Sequence, residues 1–189
     1  MKKVVNSVLI LALAFGAMAF TTPVKKKVDT SKSSIKWKGE KVTGTHYGTL
    51  KFQEGWLEMN DNGISGGEFV VDMTTIEVTD LKGESKGKLE GHLKSDDFFG
   101  VKNYPTATLK ITSATKADNG FAVKGNITIK KNTEPISFNL MDNGDGTHSA
   151  KLVIDRSKFD VRYGSGSFFD NLGDKTIYDD FELDVLIAF

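Results

Sequence analysis

Three histidines, His46, His92 and His148, are the side chains best suited to acid–base or metal chemistry in this chain. None has a second histidine at ligand spacing, and the absence of cysteine removes thiolate ligands. Because a protein metal site needs three or four converging ligands, we expect no bound metal. His148 follows a predicted hairpin turn, where we expect it to be solvated. His46 and His92 could meet in the fold and are candidates for the polar mouth of a binding site.

Other motifs that superficially suggest catalysis or ion binding favour plainer interpretations. The run Gly164–Ser167 lacks the spacing of a nucleophile elbow, and we predict a flexible loop there. Asp142–Gly146 lacks the fifth ligand and the distant glutamate of a calcium loop, so a hairpin turn is predicted instead. The adjacent carboxylates Asp96 and Asp97 are typical of a helix start, where they meet free backbone N–H groups. The sequence therefore predicts no catalytic residue and no cofactor.

The aromatic side chains are a stronger indication of function than the polar ones. The chain has 13 Phe, 2 Trp and 4 Tyr, with adjacent pairs at Phe98–Phe99 and Phe168–Phe169. Adjacent residues of a strand point to opposite faces, so we place both pairs on helices or loops, at the mouth of a cavity. Ordinary core packing requires the same residue types and stays an alternative.

Apolar and polar residues alternate along most of the chain, which is typical of strands with one buried face. The alternation predicts strands near Val24–Asp29, Ser34–Val42, Gly44–Gln53, Trp56–Met59, Gly66–Val71, Thr106–Thr112, Phe121–Lys130, Ile136–Met141, Ser149–Asp155 and Phe181–Phe189. Asp-Asn-Gly occurs between several of these segments and favours hairpin turns, so neighbouring strands should be antiparallel. Closure of so many strands into a barrel would remove sticky edges, and a barrel of about eight strands can hold one small ligand.

The longest gap between the predicted strands runs from Asp72 to Pro105, and we interpret it as the principal helical insert. Leu89 and Leu93 are four residues apart, as on one face of a helix. Ser95 could cap a further turn that holds Asp96 to Phe99. The insert is predicted to lie over an apolar interior as a plug or lid.

Residues 1–19 resemble a secretion signal, with Lys2 and Lys3 before an apolar stretch and Ala17-Met18-Ala19 at the cleavage position. The apolar stretch is short for a bilayer span, which needs about 20 residues, so no stable membrane span is expected after cleavage. Residues 20–189 should form a single domain, since no linker divides them. The formal net charge is zero and no basic stripe exists, which argues against nucleic acid as a partner.

Several segments, in order, resemble the YceI-like family of secreted bacterial polyisoprenoid-binding proteins. The matching segments are Val28–Trp37, Val42–Phe52, Gly66–Met73, Leu89–Pro105, Val123–Ile129, Ile154–Phe159 and the last strand. The chain departs from the family pattern at Lys32, where many relatives carry histidine, and at Lys130-Lys131, where a glycine is common. The resemblance implies an all-β fold, an eight-stranded antiparallel lipocalin-like barrel with a short helical insert near the mouth. It further implies an apolar tunnel for an isoprenoid or quinone, in a periplasmic or secreted protein.

The alternation and the resemblance together define an expected ligand-binding set. Its apolar members are Trp37, Phe52, Phe69, Leu89, Leu93, Phe98, Phe99, Leu109, Ile127, Phe138, Phe159 and Leu183, and its polar mouth candidates are His46, His92 and Arg156. The expected function is binding, sequestration or transport of a long apolar lipid. Two alternatives stay open: an enzyme that uses His46, His92 or Asp97 as acid or base, and a ligand-free barrel that binds another protein. A homodimer is compatible with the sequence.

Overall fold

A computed structural model describes residues 22–61 and 63–189, and in them antiparallel strands predominate. The elements are β1 (Val24–Lys27), β2 (Ser34–Lys41), β3 (Gly44–Asn60), β4 (Gly63–Val78), α1 (Gly83–Lys94), β5 (Thr106–Ala117), β6 (Gly120–Ile129), β7 (Asn132–Asp142), β8 (Thr147–Asp155) and β9 (Ile177–Ala188). Short 3₁₀ turns occupy Arg156–Phe159 and Gly173–Lys175. The expected signal at residues 1–19 lies outside the described residues. No helix within the described ranges combines the length and apolarity that a membrane crossing requires.

Strands β2 to β9 form a closed antiparallel barrel in which each strand pairs with its neighbours in sequence and β9 pairs with β2. The short β1 adds to the far half of β3, where Lys27 lies opposite Trp56. Inward-facing residues align across the strands, as Trp37 does with Leu183. The predicted all-β class, the eight-stranded antiparallel barrel and the single short helix are confirmed.

The chain connections divide the barrel into two ends. At the hairpin end, short turns join β3 to β4, β5 to β6 and β7 to β8, where the Asp-Asn-Gly sequences predict them. At the opposite end, which we call the helix end, α1 joins β4 to β5 and the 156–176 loop joins β8 to β9. Both long connections therefore cover the same end of the barrel.

Strand β3 is continuous, whereas the sequence predicted a break between Gln53 and Trp56. Register shifts at Thr49/Lys51 and Phe52/Glu54 mark bulges that disturb the alternation without ending the strand. At Gly55 the ring of Phe69 lies so close that an added Cβ would stand 2.8 Å from it. Gly55, in the predicted break, therefore admits an aromatic side chain from the neighbouring strand.

Strand β4 extends to Val78, so the predicted helical insert is wrong for its first residues, Asp72 to Val78. An irregularity separates the two parts of this strand: the pairing with β3 moves from Lys51↔Asp72 to Thr49↔Glu77. Asp72 accepts hydrogen bonds from the backbone N–H and the hydroxyl of Thr74, at 2.9 and 2.6 Å. The Thr75 hydroxyl accepts the Lys51 N–H at 2.9 Å, so a side chain replaces the missing ladder bond.

Helix α1 is fixed to the end of β4 by its polar face. The Glu90 carboxylate accepts the Val78 N–H at 2.9 Å, and Lys86 pairs with Glu77 at 2.8 Å. Leu89 and Leu93, beside these polar residues on the helix surface, line the cavity inside the barrel. The Ser95 hydroxyl donates to the His92 carbonyl at 2.7 Å, so its predicted role as the cap of a following turn is wrong. The chain nevertheless turns directly after Ser95.

Candidate functional site

An apolar cavity of about 400 Å³ lies inside the barrel. Every barrel strand and α1 contribute side chains to its wall, so the cavity depends on closure of the whole sheet. Ligand sites in proteins commonly measure about 300–1,000 Å³ and are mostly apolar. The wall also includes apolar residues that the sequence analysis did not select: Ile35, Leu50, Val71, Met73, Ile76, Ala107, Ile111, Ile129, Leu140, Ala150, Leu152, Ile154, Ile177, Phe181, Val185 and Ile187.

The expected apolar site residues lie at this wall, with one exception. Those at the wall are Trp37, Phe52, Phe69, Leu89, Leu93, Phe98, Phe99, Leu109, Ile127, Phe138 and Leu183. The exception is Phe159, which is 2% exposed but does not line the cavity. It belongs to the 3₁₀ turn after β8, where Asp155 accepts the Ser157 N–H and the chain leaves the strand alternation. That turn packs against β7 and β9, so Phe159 is a core residue outside the cavity wall.

Phe98 and Phe99 line the cavity from the turn that follows α1. Their rings meet edge to face at 5.1 Å between centroids, and Phe99 meets Phe181 at 6.3 Å. Phe98 also lies beneath the Arg156 guanidinium, at 5.3 Å. The second pair, Phe168–Phe169, lies in the 156–176 loop, more than a third exposed and away from the cavity wall.

The polar residues at the cavity wall all belong to the helix end of the barrel. Arg156 is the most buried of them, with 2% of its side chain exposed. Its Nη1 donates to the carbonyls of Val161 and Tyr163 at 2.8 and 2.9 Å, and its Nε and Nη2 donate to the carbonyls of Tyr178 and Ile177 at 3.2 and 3.0 Å. Burial lowers the pKa of Arg156, and the negative charge of a nearby aspartate raises it by less. Arg156 therefore joins the 156–176 loop to the start of β9.

That aspartate is Asp179, whose Oδ1 stands 3.2 Å from Arg156 Nη2 in an ion pair that lacks hydrogen-bond alignment. Its Oδ2 accepts hydrogen bonds from the hydroxyls of Ser165 and Ser167, at 2.9 and 2.7 Å. Ser165 is fully buried, so the predicted loop at Gly164–Ser167 is anchored at this residue. The contacts of Asp179 with Arg156, Ser165 and Ser167 join residues far apart in sequence, so no local pattern predicted them.

His46 lies at the start of β3 and lines the cavity. Its partner is Asp80, a residue outside the predicted site. Its Nδ1 is 2.7 Å from Asp80 Oδ2, and the Tyr47 N–H donates to Asp80 Oδ1 at 3.1 Å. Burial opposes ionisation of Asp80, but these hydrogen bonds outweigh it and its pKa lies below the usual value. The carboxylate is therefore ionised and directs His46 Nδ1–H toward itself.

His92, on α1, also lines the cavity and packs between two aromatic rings. The ring centroids of Tyr163 and Phe98 stand 4.4 and 5.5 Å from it. Its Nε2 is buried and has no hydrogen-bond partner within the described ranges. The sequence placed His46, His92 and Arg156 at a polar mouth, and all three do reach the same end of the cavity.

His148 lies at the other end of the barrel and is half-buried, so the prediction that it is solvated is wrong. Its ring meets Phe189 edge to face at 5.6 Å. Burial lowers the pKa of His148, because the charged imidazolium would lose its hydration. Residues 22–61 and 63–189 contain no group of three or more side chains arranged to hold a metal ion.

Comparison with known proteins places this fold in context. The YceI-like domain matches residues 27–189. The curated "Protein YceI" of Salmonella arizonae is 29% identical over 107 residues, a stretch that spans 56% of this chain and 54% of that protein. The chain therefore aligns with about half the length of this relative.

Solved structures share the barrel at low sequence identity. BcnA of Burkholderia cenocepacia has a TM-score of 0.68 and 21% identity over 86% of this chain and 99% of its own. A polyisoprenoid binding domain from Saccharophagus degradans, implicated in plant cell wall breakdown, has a TM-score of 0.57 and 13% identity over 88% and 97%. The match of the family domain to nearly all of the described chain shows that this protein belongs to the YceI-like family.

Proposed function

We propose that this protein binds a long apolar lipid, an isoprenoid or quinone chain, inside its barrel. The observation that carries the proposal is the apolar cavity, to which all eight barrel strands contribute. Each CH₂ group moved from water into such a wall contributes about 0.8 kcal/mol before ordering costs are subtracted. The polyisoprenoid binding domain from Saccharophagus degradans, which shares the fold, supports an isoprenoid as the ligand class.

Binding is favoured over catalysis by how the charged groups at the cavity are used. Arg156 donates to four backbone carbonyls, and His46 pairs with Asp80. Both therefore hold the wall in place, which is the role expected in a carrier. No added cofactor is part of the proposal; the isoprenoid or quinone is the bound ligand.

The site of action that we propose is the periplasm or the cell exterior. The order of positive start, apolar stretch and Ala-x-Ala at residues 1–19 supports export. Intact-mass measurement on the periplasmic fraction should show a chain that begins after Ala19. A chain that begins at Met1 and stays with the inner membrane would contradict export.

Lipid extraction of natively purified protein, followed by mass spectrometry, tests the binding function. We expect a co-purified isoprenoid or quinone in wild-type protein. Ala150→Phe places a ring in the cavity from β8, whereas Ala122→Phe adds the same ring to an exposed position of β6. Only Ala150→Phe should lose the lipid while keeping the circular dichroism of the barrel. An empty wild-type barrel would favour a protein-interaction module, and a chemically altered lipid would favour an enzyme.

A further inference from the structure

Among the described residues that line the helix end of the cavity, one buried hydrogen-bonding atom has no partner, Nε2 of His92. Buried polar atoms normally have a partner, and leaving one unpaired costs free energy. The rings of Tyr163 and Phe98 meet the imidazole edge to face, at 4.4 and 5.5 Å between centroids, and so restrict its rotation. An atom of this kind at the wall of a ligand cavity indicates a contact that the ligand itself completes.

The charged groups near His92 are already neutralised within the protein. Four N–H bonds of Arg156 end on backbone carbonyls, and its Nη2 also faces Asp179 at 3.2 Å. The one N–H left without a hydrogen bond, on Nη2, faces the Asp179 carboxylate, whose negative charge would repel a ligand phosphate. Asp80 likewise faces His46.

The remaining charged wall residues, Glu40 and Lys41, are adjacent on β2 and have opposite charges. Glu40 pairs with Lys38 at 2.6 Å and Lys38 also approaches Glu182 at 3.6 Å, so Lys38, Glu40, Lys41 and Glu182 together carry no net charge. Burying an anionic head group beside an apolar wall without a paired cation is costly, whereas an uncharged oxygen needs only one hydrogen bond.

We propose that His92 Nε2 forms a hydrogen bond with an uncharged oxygen head group, a hydroxyl or carbonyl, of the bound isoprenoid chain. This inference rests on the proposed lipid-binding function and adds the polarity and position of the head group. A hydroxyl both donates and accepts, so it suits either tautomer of the imidazole, and a quinone carbonyl accepts from Nε2–H. The cavity then selects neutral isoprenoids over their phosphate esters.

Three ligands with one carbon skeleton test the head-group contact: phytol has a hydroxyl, phytene has no polar group, and phytyl phosphate has a charged one. Each is titrated against wild-type protein by displacement of the fluorescent hydrocarbon diphenylhexatriene. Wild-type protein should bind phytol about three- to tenfold more tightly than phytene, the effect of one hydrogen bond. Phytyl phosphate should bind more weakly than phytol.

The variant His92→Phe keeps a ring between Tyr163 and Phe98 but removes the nitrogen. It should bind phytene as wild-type protein does and lose the preference for phytol. His148→Phe is the matched control, because His148 also packs on an aromatic ring and has a buried ring nitrogen without a partner in the described part of the chain, but does not line the cavity. It should leave all three affinities unchanged.

The possible outcomes distinguish failure of the head-group contact from failure of the proposed lipid-binding function. Failure of all three ligands to bind would reject the lipid-binding function itself. Tighter binding of phytyl phosphate than phytol, or equal binding of phytol and phytene by wild-type protein, would overturn the head-group contact even if no variant folds. Equal losses for phytol and phytene in His92→Phe would show that His92 only packs the wall.

Discussion

Arg156 shows at the scale of one residue how a charge can be buried beside an apolar cavity. Four backbone carbonyls and the carboxylate of Asp179 replace the water that the guanidinium gives up. The same bonds order the loop that covers the helix end. The charge is thus a structural component of the 156–176 loop, and its removal should lower stability more than it lowers ligand affinity.

We expect Arg156→Met to lower the free energy of unfolding by about 3–5 kcal/mol, because it leaves Asp179 and several carbonyls buried without a partner. The matched control is Arg162→Met, since Arg162 pairs with Asp160 at the surface, where such pairs contribute about 0–1 kcal/mol. Urea denaturation of the two variants measures the difference. Equal midpoints for Arg156→Met and Arg162→Met would show that the buried network adds little.

Phe98 and Phe99 look equivalent in the sequence but differ in the fold. Phe98 is 7% exposed and contacts His92, Phe99 and Arg156, whereas Phe99 is only partly buried. We expect Phe98→Ala to cost about 3–5 kcal/mol of stability, as core truncations of phenylalanine do. Phe99→Ala should cost less and should speed lipid release more. Denaturant midpoint and lipid off-rate on both variants test this, and a stable Phe98→Ala with fast release would make Phe98 a lid residue instead.

For single residues, the alternation along each strand predicted which side chains reach the cavity, but it could not predict contacts between residues far apart in sequence. Trp37 and Leu109 reach the cavity because their strands keep the two-residue period. Phe159 does not, because a capped turn interrupts that period just before it. Asp80 and Asp179 could not be assigned roles, since each acts on a residue that lies far from it in sequence.

At the scale of elements, strand cores were predictable and strand ends were not. The break expected near Gly55 and the early end expected at Val71 both fall where bulges or side-chain hydrogen bonds carry the strand through an irregularity. Asp72-Met73-Thr74-Thr75 is the sequence that does this in β4, because its side chains supply local acceptors and donors. The alternation of apolar and polar residues does not reveal where a side-chain hydrogen bond replaces a backbone one.

Helix α1 contains two glycines at exposed positions, Gly87 and Gly91, where an added Cβ would meet no atom within 4 Å. Each Gly→Ala change in a helix interior contributes about 0.5–1 kcal/mol. We expect Gly87→Ala/Gly91→Ala to raise the free energy of unfolding by about 1–2 kcal/mol and to slow lipid exchange if α1 must move. Thermal unfolding and exchange rate measure the two effects.

The control for this variant is Gly83→Ala, at the first residue of the same helix. Gly83 has a φ of +57°, a conformation that alanine adopts only with strain. It should therefore destabilise the protein although its surroundings are equally open. Stabilisation by all three substitutions would show that the backbone of α1 is not held in the described conformation.

At the scale of the whole molecule, the barrel is closed unevenly. Strand β6 pairs with β7 along Gly120–Ile129, and β8 pairs with β9 along Thr147–Asp155. Within the described chain, β7 and β8 pair only at Leu140–Asp142, next to their hairpin. Toward the helix end, the 3₁₀ turn at Arg156–Phe159 packs against β7 and β9. Between the first half of β7 and the end of β8, a boundary that we call the seam, side-chain packing therefore replaces ladder hydrogen bonds.

This seam should open first under native conditions, because amides without ladder bonds are the least protected against exchange. Hydrogen exchange read by mass spectrometry should show faster exchange in peptides from the first half of β7 than in the β5–β6 hairpin, whose pairing runs from Thr108 to Ala117. Phe159→Leu should speed exchange at the seam more than elsewhere, since Phe159 belongs to the turn that packs there. Bound phytol should slow exchange on both sides of the seam, because β7 and β8 both contribute side chains to the cavity wall. Uniform protection of β5 to β8 in the free protein would contradict a seam and would leave the two ends of the barrel as the routes by which lipid enters.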